Sequence, residues 1–303
     1  MLEQELGIQK IEKYLAKIDK IYKGYESNCD DISYLKNQYM TRVNKPLDIS
    51  NPRNYNEKLQ WLKLFWRDEK AYACANKYTA RKYVSECGYS ELLHPILRKW
   101  DKADEISFDG LPHSFILKAT HASGFNLIVN NKDMLEIERV KKLFDRVLKL
   151  KYYLLKREWV YENSQPSIIC EELFDISQSQ PLDYKFFCFN GEIKAIEALT
   201  VTDTNNLKEE PKSFFCDENL VPLQIKYGYE MNTGQLIQPE CFSKMKEAAS
   251  QLSKPFPHVR VDFCVERGKP WFGEFTFFPG AGYDIFEPET FSLEMGNWLS
   301  LPL

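Results

Sequence analysis

Residues 259–282 read Val259-Arg-Val-Asp-Phe-Cys-Val-Glu-Arg-Gly-Lys-Pro-Trp-Phe-Gly-Glu-Phe-Thr-Phe-Phe-Pro-Gly-Ala-Gly282. In the first half Val259, Val261 and Phe263 alternate with Arg260, Asp262 and Cys264, the two-residue period of a strand. Arg267-Gly268-Lys269 is a short polar turn with a glycine, which predicts a hairpin. The return run alternates again. It puts Phe272, Glu274 and Thr276 on one face and Trp271, Phe275 and Phe277 on the other. Asp262 and Glu274 then stand on adjacent strands, among aromatic side chains where a carboxylate is costly to bury unless neutralised. Two such carboxylates suit Mg²⁺, a hard cation that also binds substrate phosphates. Pro279-Gly280-Ala281-Gly282 ends the stretch with a backbone able to approach a ligand closely. Two half-exposed acids on an ordinary hairpin would give the same pattern, so the rest of the chain decides.

At 303 residues the chain can build one large domain or two lobes. Its net charge of −4 gives no global attraction for nucleic acid and leaves room only for a local basic groove. No apolar run is long enough to span a membrane, and the N-terminal stretch is too charged for a signal peptide. Eight cysteines, at 29, 74, 87, 170, 188, 216, 241 and 264, form no C-x-x-C pair. They read as free thiols of a reducing cytoplasm. The four histidines (94, 113, 121 and 258) are scattered, which argues against zinc.

Along the chain, residues 1–40 read as an amphipathic helix with Leu6, Ile11, Leu15 and Ile18 on one side. It would cover the body of the protein or hold a partner; the covering role is preferred. A polar connector runs from Thr41 to Arg53. Asn56 is placed as the N-cap of a helix to Arg67, and a second helix is expected over Glu69–Cys87. On the latter, Lys77 and Arg81 share a face, either solvated or a phosphate clamp. A short strand is expected over Leu92–Trp100. A strand reaching Lys118 is followed by Thr120-His121-Ala122-Ser123-Gly124 and a second strand to Val129. That loop is small and polar enough to fold over a phosphate, although it is not a Walker loop. Residues 132–160 are expected to be helical. The aromatic stretch Tyr152–Tyr161 is core or a stacking platform for sugar. A strand ends at Glu171-Glu172, a hairpin carries Asp183 and Lys185 with its turn at Asn190-Gly191, and Glu240–Leu252 reads as a helix. A short amphipathic helix is expected in the tail, 288–303.

The ordered segments NYNEKLQWLKL, NKYTARKYV, LPHSFILKATHASGFNLIV, IICEELF, LDYKFFCFNG, HVRVDF and FGEFTFFPGAG resemble the TupA-like (teichuronopeptide-biosynthesis) family of the ATP-grasp superfamily. They run from about residue 51 to the C-terminus. The resemblance implies an α+β fold in which two lobes clamp Mg-ATP. It places a helical extension over 1–50, an N-lobe over 51–170 and a C-lobe with the metal hairpin over 171–303. By the same resemblance Lys77 and Lys118 neutralise ATP phosphates beneath a loop containing His121, Ser123 and Gly124. Glu172, Leu173 and Phe174 meet the adenine, and Glu171 or Asp183 the adenosine. Asp262 and Glu274 hold Mg²⁺, with Glu274 bridging two ions. Arg260 and the Gly280 backbone stabilise an acyl phosphate, with Lys185 near the phosphates or the acceptor. Two positions depart from the pattern: Thr276 stands where an asparagine ligand is usual, and Asn76 where an aspartate precedes the lysine. A hydroxyl at 276 can still ligate Mg²⁺.

The implied activity is an ATP-dependent carboxylate–amine ligase. It would join an amino acid or amine to a uronic-acid carboxylate in capsular polysaccharide, teichuronopeptide or O-antigen precursors. The alternatives are a polysaccharide glycosyltransferase, for which no D-x-D motif is present, a phosphotransferase on the same fold, and a non-catalytic ATP-binding protein. The expected setting is the cytoplasm, with peripheral association to envelope-assembly enzymes allowed.

Overall fold

The computed structural model describes residues 2–23, 30–173, 183–200 and 211–302. Phe174 and Cys29 lie outside the described residues. The chain opens with helices α1 (Leu2–Lys23), α2 (Asp31–Val43), α3 (Tyr55–Phe65), α4 (Glu69–Ala75) and α5 (Ala80–Glu86). The first lobe adds β1 (Ile96–Trp100), β2 (Phe115–Ala119), β3 (Asn126–Val129), α6 (Ile137–Leu148) and β4 (Ile168–Glu172). The second begins with β5 (Asp183–Phe189), β6 (Glu192–Thr200), β7 (Lys212–Cys216), β8 (Lys226–Tyr227) and β9 (Glu230–Met231). It continues through α7 (Phe242–Ser253), β10 (Val259–Glu266), β11 (Lys269–Thr276), β12 (Phe286–Glu287) and α8 (Thr290–Trp298). One sheet runs β1-β4-β2-β3, a second β11-β10-β5-β6-β7-β9, and β12 pairs with β8 in a small third, all antiparallel except for the β7–β9 pair. This is the expected α+β architecture.

α1 covers the first sheet. Its Ile8, Ile11, Leu15 and Ile18 recur every three or four residues and are at most 2% exposed, so one stripe is driven into the lobe by hydrophobic burial. They pack in one cluster with Leu117, Leu127, Phe144 and Val147. Glu5, Glu12 and Asp19 recur every seven residues along the flank facing α6. Arg139 reaches Glu5 at 2.8 Å and Glu12 at 3.2 Å, and Arg146 reaches Asp19 at 2.8 Å. The aromatic stretch is core as well: Tyr152, Trp159 and Val160 are buried, and Trp159 packs edge-on to Trp66 and Tyr72.

Three local expectations are corrected. The N-cap of α3 is Asn54, not Asn56. Asn54 Oδ1 accepts from the Glu57 amide at 3.0 Å, while the Glu57 carboxylate accepts from the Asn54 amide at 3.1 Å, a capping box. The helix expected over 69–87 is two helices, because Asn76 Oδ1 accepts from the amides of Tyr78 at 2.9 Å and Thr79 at 3.3 Å. Those bonds compete with helix continuation and turn the chain. Residues 132–160 hold one α-helix, α6, with one 3₁₀ turn before it and two after it.

His258 ties the second lobe to α3. Its Nδ1–H donates to the Cys188 carbonyl at 2.9 Å, so its Nε2 accepts from the Tyr55 hydroxyl at 2.8 Å. Burial pushes the His258 pKa down to about 3 and that of His121 to about 4, from an ordinary 6.5. Both are neutral in the native state, whereas the unfolded chain takes up protons below about pH 6.5. Their contribution to stability is complete above that pH. It is lost as pH falls toward the native values, at up to about 1.4 kcal/mol per pH unit each. Two of the imidazole C–H resonances should therefore stay fixed between pH 8 and pH 5 in an NMR titration. A midpoint near 6.5 for either residue would contradict this burial.

Candidate active site

The β10–β11 hairpin forms with the turn at Arg267-Gly268 and pairs Arg260 with Thr276 and Asp262 with Glu274. A bulge then shifts the register, so that Phe263 faces Phe272 and Cys264 faces Trp271. Simple alternation had put Phe272 on the Glu274 face and Trp271 opposite. The extra residue reverses both, with Gly273 at the break. A Cβ on Gly273 would come to 3.1 Å from the Asp262 carbonyl, so the missing side chain lets the strands close there.

Strand pairing builds a row of charge across the sheet. Glu274, Asp262, Lys185 and Glu197 lie directly opposite one another on β11, β10, β5 and β6. Directly paired residues share a face, so the four side chains lie on one side of the sheet. Asp183 stands one pleat away, opposite Cys264 and Leu199.

The facing wall comes from the first lobe. Lys118 on β2 reaches Glu171 on β4 at 2.6 Å, with Arg81 4.0 Å from the same carboxylate. Lys77 sits in the turn between α4 and α5, not on a helix. Its amide donates to Thr120 O at 3.0 Å and its Nζ to Ala122 O at 3.2 Å. The same Nζ spans to Glu274 at 2.9 Å, joining the two walls. Asn76 anchors this turn: its Nδ2 donates to Ser164 Oγ at 2.9 Å and Gln165 O at 3.0 Å. An aspartate could cap the turn but could not make those donations. The departure at position 76 thus fixes the lysine more firmly.

Between the walls lies a cleft of about 440 Å³. Lys77, Arg81, Lys118, Lys185 and Arg260 line it, as do Glu171, Asp183, Asp262 and Glu274. Arg260 grips Asp262 through two bonds of 2.8 and 2.6 Å, and Lys185 holds Glu197 at 3.2 Å. Burial pushes the carboxyls of Asp183, Glu197 and Asp262 up; Glu274 adds to the rise at Asp183 and Asp262 by repulsion. Burial also opposes ionisation of Glu274, but Lys77, Arg260 and Lys118 outweigh it and hold that carboxyl below its ordinary value. Among the described residues no group of three or more His, Cys, Asp or Glu is arranged as a cation cage. Two neighbouring carboxylates beside lysine and arginine side chains nevertheless fit Mg²⁺, which is commonly held by one or two carboxylates plus substrate phosphates.

Of the residues expected at the site, Lys77, Lys118, Ser123, Glu171, Asp183, Lys185, Arg260, Asp262 and Glu274 line this cleft together. His121 does not: it is buried, and its Nε2–H donates to Val147 O at 3.1 Å. Gly124 lies against the Tyr14 ring of α1, whose stacking on Phe125 (5.2 Å) backs the loop from behind. Glu172 is exposed at the end of β4, and Leu173 follows it; neither lines the cleft. Thr276 Oγ1 lies 3.3 Å from Arg260 Nη2 and accepts from it, steadying the arginine. Gly280 sits in the turn after β11, which α3 grips. Gln60 Nε2 donates to the carbonyls of Ala281 and Gly282 at 3.0 and 2.9 Å, and Lys63 Nζ to Ala281 O at 2.7 Å. Burial lowers the Lys63 pKa to about 7. His94, Asn126, Leu199 and Tyr229 also line the cleft and carry no motif. Tyr229 stacks under Lys185 at 5.0 Å, an arrangement no spacing in the sequence announces.

The family model for TupA-like ATP-grasp proteins matches residues 57–300, and the chain belongs to that family. A comparison with curated protein sequences finds no match. Among solved structures, the D-alanine–D-alanine ligase of Bacillus anthracis complexed with ATP is similar at 18% identity and a TM-score of 0.39, over 68% of this chain and 55% of that one. The L-amino acid ligase of Bacillus licheniformis follows at 15% and 0.43, over 69% and 44%. The D-alanine–D-alanine ligase of Helicobacter pylori stands at 16% and 0.45, over 83% and 70%. The chain spans little more than half the length of the first of these.

Proposed function

We propose that the chain is an ATP-dependent carboxylate–amine ligase. The observation that carries this reading is the acid row of β10 and β11 set opposite Lys77 and Lys118, with Lys77 paired to Glu274. Each lysine neutralises a carboxylate, Lys77 that of Glu274 and Lys118 that of Glu171. A nucleotide would exchange these partners: phosphates for the lysines, metal for the acids. That exchange needs both charge signs in one cleft, as found here.

In the proposed reaction a carboxylate oxygen attacks the γ-phosphorus of ATP and ADP leaves. An amine nitrogen then attacks the acyl carbon, phosphate departs, and the nitrogen loses a proton. Asp262 and Glu274 would hold Mg²⁺, which neutralises charge on the transferring phosphoryl group. Lys77 and Lys118 would orient the phosphates, with Ser123 and the backbone of its loop beside them. Arg260, fixed by Asp262 and Thr276, would face negative charge developing on the acyl phosphate. Lys185, over the Tyr229 ring, would serve the phosphates or the acceptor. The TupA-like membership supports an acidic glycan as the carboxylate source, in teichuronopeptide, capsular or O-antigen precursors, and an amino acid as the amine.

The test is ADP release measured across amino acids with a uronic-acid acceptor, alongside mass analysis for the amide. Release that requires both partners supports the ligase. A phosphorylated product without amide would mean a phosphotransferase. Sugar transfer from a nucleotide-sugar without ATP would mean a glycosyltransferase.

A further inference from the structure

The basic residues of this acidic chain are unevenly placed. Residues 137–157 carry eight Lys and Arg against two Asp and Glu, within a chain of net charge −4. On α1, Lys10, Lys13, Lys17 and Lys20 are all exposed. At 100° per residue they fall on one face, opposite the buried stripe of Ile8, Ile11, Leu15 and Ile18. Three acids of α1, Glu5, Glu12 and Asp19, close the seam with Arg139 and Arg146. Those pairs run in the same order on both helices, so α1 and α6 lie side by side and parallel. Exposed Lys142 of α6, and Lys149 just past its end, stand beyond the seam on the same outer side. Lys149 is held by Asp145 at 2.6 Å; the four lysines of α1 and Lys142 have no ion-pair partner among the described residues. The stripe is about 15 Å long at 1.5 Å per residue. The α1 part of this face lies outside the residues matched by the family model, and the α6 part lies within them.

We propose that the lysine face of α1 and α6 is a docking strip for an acidic polysaccharide, the polymer bearing the carboxylate that the cleft acts on. This rests on the ligase reading for the identity of the polymer. Charge complementarity argues for a polyanion, since regularly spaced ammonium groups match a regularly spaced row of carboxylates. Burial argues against a membrane. An interfacial helix needs a free apolar face, and that of α1 is sunk in the lobe. The helix also backs the cleft, through Tyr14 against the Gly124 loop, so a polymer held on its outer side is held on the active lobe. Weak exposed pairs acting together give a binding strip that favours long chains over single sugars.

The test is binding of fluorescent oligogalacturonate to the full chain without nucleotide, at several chain lengths and salt concentrations. Affinity should rise with oligomer length and fall with salt. Replacing Lys10, Lys13, Lys17 and Lys20 together by Gln should weaken it about tenfold or more at low salt, four exposed pairs being lost. The thermal midpoint of that variant should match the parent, since these side chains touch solvent. Parental affinity in the variant would overturn the proposal. So would binding to vesicles of anionic lipid but not to oligogalacturonate, which would make the strip a membrane contact. Failure of the ligase reading shows up separately, as polymer binding that survives with no amide formed when ATP and amines are added.

Discussion

Replacing Glu274 by glutamine is expected to lower amine-dependent ADP release by about 10³-fold or more while leaving the fold intact. The side chain keeps its shape, and the site is a third exposed, so water can take up what the amide does not. The charge is the loss. Glu274 is the one acid of the row held below its ordinary pKa, with Lys77, Arg260 and Lys118 all acting to keep it ionised. A metal placed between phosphates and protein needs that standing negative charge. A glutamine offers a neutral carbonyl and leaves the Lys77 ammonium, only 11% exposed, without its acid. Asp262→Asn would be a poorer probe. Asp262 takes both Arg260 bonds, and stripping a buried arginine of its partner costs about 3–5 kcal/mol in stability, so lost activity and lost fold would be confounded. The measurement is steady-state ADP release for Glu274→Gln beside its thermal midpoint. Parental turnover would remove the metal assignment of the hairpin.

The hairpin itself was legible because its chemistry is local. A two-residue period and an Arg-Gly turn put Asp262 and Glu274 on adjacent strands, and the bulge then brings them directly opposite each other. The row beyond it was only half legible. Lys185 could be read as pointing with Asp183, but Glu197 enters only when β6 pairs with β5, and pairing is a tertiary event. The bulge at Gly273 was hidden because a strand period carries no marker of a register slip. Lys77 was found by type and misplaced by element. Helix propensity runs through 69–87, and a single asparagine side chain, satisfied by Ser164 and Gln165 far along the chain, overrides it. His121 shows the reverse failure. The loop is small and polar, as a phosphate loop should be, yet this one side chain turns inward to Val147. Nothing in Thr120-His121-Ala122-Ser123-Gly124 says which member faces the ligand.

Gly296→Ala should destabilise the protein by about 3 kcal/mol, among the larger costs of adding one methyl group. Gly296 lies in α8 with its Cα pressed on the start of α3. An added Cβ would stand 2.2 Å from Arg53 O and 2.9 Å from Asn54 Cα. Both obstacles are backbone, which cannot rotate away as a side chain can. They also belong to the turn that carries the Asn54–Glu57 capping box, so relief by shifting Asn54 would break the cap of α3. The contact is reinforced from the other side, where Lys58 Nζ donates to the carbonyls of Gly296 at 2.7 Å and Leu299 at 2.8 Å. α3 in turn holds the Gly280 turn through Gln60 and Lys63, so a displaced α3 would loosen the strand end that leaves the cleft. Gly268 provides the control. It has φ near 75°, but nothing lies within 4 Å of its added Cβ, so Gly268→Ala carries only the left-handed backbone cost of about 1–2 kcal/mol. Urea unfolding of the two variants separates the effects. Gly296→Ala should lower the midpoint more than Gly268→Ala, although its backbone dihedrals suit any residue. The opposite order would mean that α8 moves off α3 without strain, and that the α3–α8 contact is not what holds the end of the β10–β11 hairpin in place.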